Sequence, residues 1–96
     1  MSNIVNIYLQ DERLLLLLDD AVKSEINSIE LGIKRASQKM KKFERKYKMS
    51  SEEFYNAFSN GELGDDVDFM EWAGEYELLA DLEQDIEKLR GINFAY

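Results

Sequence analysis

The sequence predicts an all-α fold: a long N-terminal helix paired antiparallel with a C-terminal helix, and a short helix in the connection. Three observations point there. The 96 residues contain no proline and five glycines, so long helices can run without a forced break. Apolar or small residues at Ile26, Ile29, Ile33, Ala36, Met40, Phe43 and Tyr47 recur at alternating steps of three and four, the seam of a helix that packs along its length. A helix-start signature then stands at Ser50, with Glu53 three residues on. All of it reads as a single helical domain over 1–96.

The first helix is expected from about Asp11 to Lys48. Leu15, Leu18, Val22 and Ile26 carry the seam upstream, with a local stutter that rotates it. Gly32 lies off the seam and costs roughly 1 kcal/mol against alanine, which weakens the helix locally without ending it. Ser50 caps the second helix in a capping box with Glu53, Met49 and Phe54 form its hydrophobic staple, and Asn60-Gly61 ends it. The third helix starts at Asp65 or Asp66, where the helix dipole favours acids. Its seam runs through Phe69, Trp72, Tyr76, Leu79, Leu82 or Glu83, Ile86 and Leu89, with Gly91 as the stop. Residues 1–9 favour strand but are too short to assign, and the apolar tail Ile92, Phe94, Ala95 and Tyr96 is expected to dock.

Composition excludes several chemistries. With no cysteine and no histidine, disulfides, thiolate nucleophiles, Ser-His relays and the usual zinc sites are out of reach. The longest apolar run, Leu14–Leu18, is far shorter than the roughly 20 residues of a membrane helix. Residues 1–10 carry no basic region ahead of an apolar stretch, so neither a secretory signal nor a membrane partner is expected, and the chain reads as cytoplasmic.

Charge is segregated within the net −8. Residues 1–48 carry net +3 and residues 49–96 net −11, while Lys34–Lys48 holds eight basic side chains and one acid, Glu44. An antiparallel hairpin sets that basic end beside the acidic start of the third helix, which reinforces the alignment. Lys34–Lys48 is accordingly expected to be solvated and internally neutralised, and nucleic acid is not expected as a partner of the chain alone. At about 1.5 Å per residue the first helix is roughly 57 Å long and the third roughly 37 Å. The shorter one therefore leaves the segment from Asp11 to about Lys23 uncovered. Five consecutive leucines cannot all face one neighbour, so Leu14, Leu15, Leu17, Leu18 and Val22 are assigned to self-association, a dimer being favoured.

Two clusters could carry function. Phe54, Tyr55, Phe58, Phe69, Trp72 and Tyr76 are either packing between the second and third helices or, at Trp72 and Tyr55, anchors for a partner. Among the acids, Asp68, Glu71 and Glu75 share a helical face and could serve a metal-dependent hydrolase, but they flank the aromatic seam and no Glu-x-x-His accompanies them. Gly61-Glu62-Leu63-Gly64 lacks the Lys-Ser/Thr sequel of a phosphate loop. No cofactor and no catalytic residue is assigned.

Two stretches carry a resemblance. Phe43-Glu44-Arg45-Lys46-Tyr47-Lys48-Met49-Ser50-Ser51-Glu52-Glu53-Phe54, and Asp65-Asp66-Val67-Asp68-Phe69-Met70-Glu71-Trp72 after Gly61–Gly64, resemble a group of small bacterial and archaeal helical proteins. Their pattern is F-x-x-K-Y-G-M-S-x-E-E-F followed by an acidic linker and a D/E-F/Y-x-E-W helix start, and they look like the antitoxin half of toxin–antitoxin pairs. Lys48 replaces the pattern's glycine, which implies that no left-handed cap is needed there. The resemblance implies a non-enzymatic module that binds another protein. Phe58, Phe69 and Trp72 would be its apolar anchors, and Asp65, Asp66, Asp68, Glu71 and Glu75 its acidic face against a basic toxin. A metal-dependent hydrolase and a structural homo-oligomer are the alternatives.

Overall fold

The computed structural model describes residues 4–95. In chain order it has β1 (Val5–Tyr8), α1 (Glu12–Tyr47), α2 (Ser51–Ser59), α3 (Val67–Arg90) and β2 (Ile92–Ala95). α1 and α3 lie antiparallel along a rod of 56 × 22 × 18 Å, and α2 packs at the end where they are joined. The sequence-expected architecture is the observed one. Ile29, Ala36 and Met40 of the α1 seam are buried, as are Trp72 and Ile86 of the α3 seam, and Leu82 rather than Glu83 turns inward.

Each helix ends where local chemistry requires. Asp11 caps α1 by accepting from the Leu14 amide at 3.1 Å, and Asp66 caps α3 by accepting from the Asp68 amide at 2.8 Å. Ser50 accepts from the Glu53 amide at 3.1 Å, the expected half of the capping box. Among the described residues Glu53 returns no bond to Ser50. The neighbouring Ser51 amide is taken instead by the Glu44 carboxylate of α1, at 2.9 Å. α2 closes in a Schellman turn, with the Glu62 amide donating to the Ala57 carbonyl, the Gly61 amide to that of Phe58, and Gly61 at φ +73°.

One expectation is corrected, and the place of one glycine is explained. α1 runs unbroken through Gly32, as the 11–48 helix requires, and a Cβ there would sit 3.0 Å from Leu82 Cδ1 of α3. The glycine lets the two helices approach closely. Lys48 adopts the left-handed conformation at φ 54°, so the cap is needed after all. The chain must turn from α1 into α2 within three residues, and the left-handed residue makes that turn at about 1–2 kcal/mol for a non-glycine side chain.

The core is aromatic and sits at the α2 end. Trp72 and Phe54 are fully buried and stack face to face, with centroids 3.9 Å apart and planes 3° from parallel. Phe43, Tyr47, Phe58 and Phe69 complete the stack, with Tyr47 and Phe69 joining α1 to α3 at 5.1 Å. The Trp72 indole N–H donates to the Ser51 hydroxyl at 2.8 Å, and that hydroxyl donates to Glu44 at 2.8 Å. One side chain from each helix thus closes a polar chain inside the core.

At the far end α3 stops level with Glu30, to which Arg90 is paired at 2.8 Å. The chain leaves as β2, which pairs in parallel with β1 from Val5↔Ile92 to Tyr8↔Ala95. The expected docking of the tail is therefore strand pairing; Tyr96 lies outside the described residues, as do residues 1–3.

Trp72→Ala removes the centre of this stack, and urea unfolding should show a loss of about 3–5 kcal/mol. Ser51→Ala leaves the indole N–H and the Glu44 carboxylate without their common partner, and should cost about 1–3 kcal/mol in the same measurement.

Candidate partner-binding surfaces

The fold itself uses most of the residues expected to bind a partner. Trp72 is wholly buried and cannot anchor a partner at the surface, because the indole is enclosed by Phe43, Tyr47 and Phe54. Phe58 and Phe69 are half-buried in the same cluster. Asp66 caps α3, Asp68 holds Lys46 at 2.6 Å, and Glu75 holds Lys39 at 3.3 Å. Asp65 and Glu71 remain exposed. The three acids of the hydrolase alternative do not converge: two are committed to lysines and Glu71 faces outward. Among the described residues no group of three acids is placed to hold a metal ion.

Asp68 is the electrostatic link between α1 and α3. Its carboxylate accepts from the Lys46 ammonium and from the Tyr47 hydroxyl, each at 2.6 Å. The bond from Lys46, and then that from Tyr47, hold the Asp68 carboxyl below the usual carboxylate range. Conversely, the bond to Asp68 raises both Lys46 and Tyr47. Tyr55 is raised in the same manner by its bond to Glu77 at 2.6 Å, which ties α2 to α3.

The outer face of α3 presents a surface the sequence reading did not select. Val67, Met70 and Leu78 are 79%, 59% and 45% exposed and lie on one side of the helix, interleaved with Glu71, Asp81 and Asp85. Gly74 sits in the middle of this stripe, with nothing within 4 Å of where a Cβ would be. Unlike Gly32, it meets no neighbour among the described residues that explains its cost to the helix. The inward aromatic spacing dominates the sequence pattern, and Val67, Met70 and Leu78, few and interrupted at Gly74, do not stand out against it. Subtracting the seam positions was the signal that could have found them.

The other apolar surface is the α1 end beyond α3. Leu14, Leu17 and Leu18 are exposed, as assigned to self-association, whereas Leu15 and Val22 are half-buried. Leu15 lies with Ile92 and Phe94 of β2 around a shallow depression. Leu16, outside the set assigned to self-association, is the most exposed of the five leucines. The strands cover one side of this segment and leave the rest bare.

The expected neutralisation of Lys34–Lys48 is only partial. α3 supplies carboxylates to Lys39 and Lys46, on the flank of α1 nearest to it. Among the described residues the other six cations of the run have no ion pair.

The sequence matches no protein-family model, and no curated protein or solved structure shows significant similarity to it. Among the described residues, no helix is long and apolar enough to cross a membrane.

The Asp68 link defines a pH window. Because its folded-state pKa is lowered, Asp68 contributes stability above its ordinary value near 3.9, and that contribution is lost as pH falls through the lowered value. Lys46 and Tyr47, being raised, contribute below their ordinary values near 10.4 and 10, and lose that contribution as pH rises through the raised values. The stability difference between wild type and Asp68→Ala, from urea midpoints, should be flat from about pH 5 to 9 and shrink beyond both limits.

Proposed function

We propose that this chain is a cytoplasmic protein-binding module that takes a basic partner on the outer face of α3, in the manner of an antitoxin neutralising its toxin. The observation that carries the reading is the exposed stripe of Val67, Met70 and Leu78 among Glu71, Asp81 and Asp85, centred on the open position at Gly74. A helix laid into a partner's groove uses apolar anchors at such spacings, and an exposed glycine lets the partner's backbone come close. The surrounding acids steer a basic partner and select against an acidic one. The antitoxin role itself rests on the resemblance of residues 43–54 and 65–72. The apolar anchors pass from Trp72, Phe69 and Phe58 to the outward side chains of the same helix, and Glu71 keeps its assigned role.

The leucine end serves a second contact, with another copy of the chain. A two-stranded sheet is marginal alone, and Leu14, Leu16, Leu17 and Leu18 place large apolar side chains beside it at one end of the rod.

Co-expression with the basic product of a neighbouring reading frame should yield a complex that co-elutes in size-exclusion chromatography. Gly74→Gln should raise the chain's own stability by roughly 0.5–1 kcal/mol, since it replaces a helical glycine in open space. The same substitution should weaken the complex at least tenfold; unchanged affinity, or independent elution of the two proteins, removes the reading. Leu16→Glu with Leu17→Glu should convert a dimer to a monomer in sedimentation equilibrium while leaving the helical circular dichroism intact.

A further inference from the structure

From Lys34 to Arg45 the face of α1 turned away from α3 is cationic apart from Gln38. Lys34, Gln38, Lys41 and Arg45 recur at steps of four, three and four, which sets them in one row, and Arg35 and Lys42 stand beside it. All six are exposed, and five of them are cations with no ion pair among the described residues. Arg35, Gln38, Lys41, Lys42 and Arg45 line a shallow groove of about 440 Å³ with Lys39. The single acid of the run does not interrupt them. Glu44 points to the opposite flank, where Ser51 binds its carboxylate through both the amide and the hydroxyl.

We propose that this face binds the phosphodiester backbone of a nucleic acid. From Lys34 to Arg45 the row spans roughly 17 Å at about 1.5 Å per residue. Five cations over that length, on a rigid helix, match the closely and regularly spaced charge of a polynucleotide. The chain's net −8 does not oppose this, because its acids lie mainly on and around α3 and α2, on the other side of the rod. Nor is the acidic face of a second copy a fitting occupant. The basic and acidic faces point in opposite directions, so pairing one with the other would not close on itself and would propagate as a filament. A row of cations on a rigid helix suits phosphate oxygens, which carry no sequence information, so binding is expected to be largely insensitive to sequence. The surface is distinct from the α3 face and stands or falls independently of the partner assigned there.

Fluorescence anisotropy of the full chain with labelled duplex DNA of about 20 base pairs, and with a single-stranded RNA of the same length, tests this directly. Binding should weaken linearly in log–log salt titrations, with a slope of about −4.5 on duplex or about −3.5 on single strands if all five cations engage. The variant Lys41→Glu, Lys42→Glu, Arg45→Glu should lose at least tenfold in affinity with an unchanged thermal melt, and the charge-neutralising Glu52→Gln on α2 should leave binding unchanged. Failure to bind either polymer at 50 mM salt overturns the proposal, as does binding that the triple variant leaves intact. Equal or tighter binding to poly-glutamate, or salt-sensitive growth of filaments by the chain alone, also overturns it, because the face would then serve acidic protein.

Discussion

The hydrogen-bonded chain from the Trp72 indole through the Ser51 hydroxyl to the Glu44 carboxylate holds the structure together where its three helices meet. Ser51 accepts from the indole while giving its own proton to Glu44, so the two bonds polarise each other and orient the hydroxyl. The Glu44 carboxylate also takes the Ser51 amide at the start of α2, an otherwise unsatisfied donor at the positive end of the helix dipole. A nine-residue helix is marginal on its own. Here it is held by a side chain from α1 at its first turn and by Phe54 stacked on Trp72 of α3. The tryptophan is the pivot of the apolar stack and the donor of the polar one.

That junction determines which charges are free. Because Glu44 turns in towards Ser51, the basic segment of α1 loses the only acid that could break it. Because α3 lies against one flank, Lys39 and Lys46 find carboxylates there and their neighbours do not. The same packing turns Asp68 and Glu75 inward and leaves Glu71, Asp81 and Asp85 outside. A chain of net −8 thereby becomes a rod with one cationic side and one acidic side. Surface pairs of this kind contribute little to stability, about 0–1 kcal/mol each. Their effect is to decide what can approach each face.

The two ends of the rod differ in kind. At the α2 end the aromatic residues cover one another and Trp72 is sealed. At the other, α3 stops level with Glu30 while α1 continues through Leu14–Leu18, with a two-stranded sheet along one side. The strands run parallel because both follow the descending direction of α3: β2 continues from α3, and β1 runs down before the chain turns up into α1. They shelter Leu15 and leave Leu16 and Leu17 bare.

Sequence alone determined the helix count, the antiparallel pairing, the cap at Ser50, the α3 start to within Asp65 or Asp66, and most of the inward seams, because these depend on local hydrogen bonding and on a period of three and four. The same logic located the uncovered segment from helix lengths, but not which of its leucines stay bare. It misjudged Lys48, whose left-handed turn is imposed by the short path into α2, and it registered only the cost of Gly32, whose role becomes visible when Leu82 is set against it. It also could not tell whether Trp72 was an anchor or a core residue, since both uses obey one spacing. Tertiary structure settled that by enclosing the indole, and with it settled which acids are free, which lysines are paired and where Gly74 lies open. Those are relations between residues far apart in the chain, and no local pattern encodes the direction in which a side chain meets a distant helix.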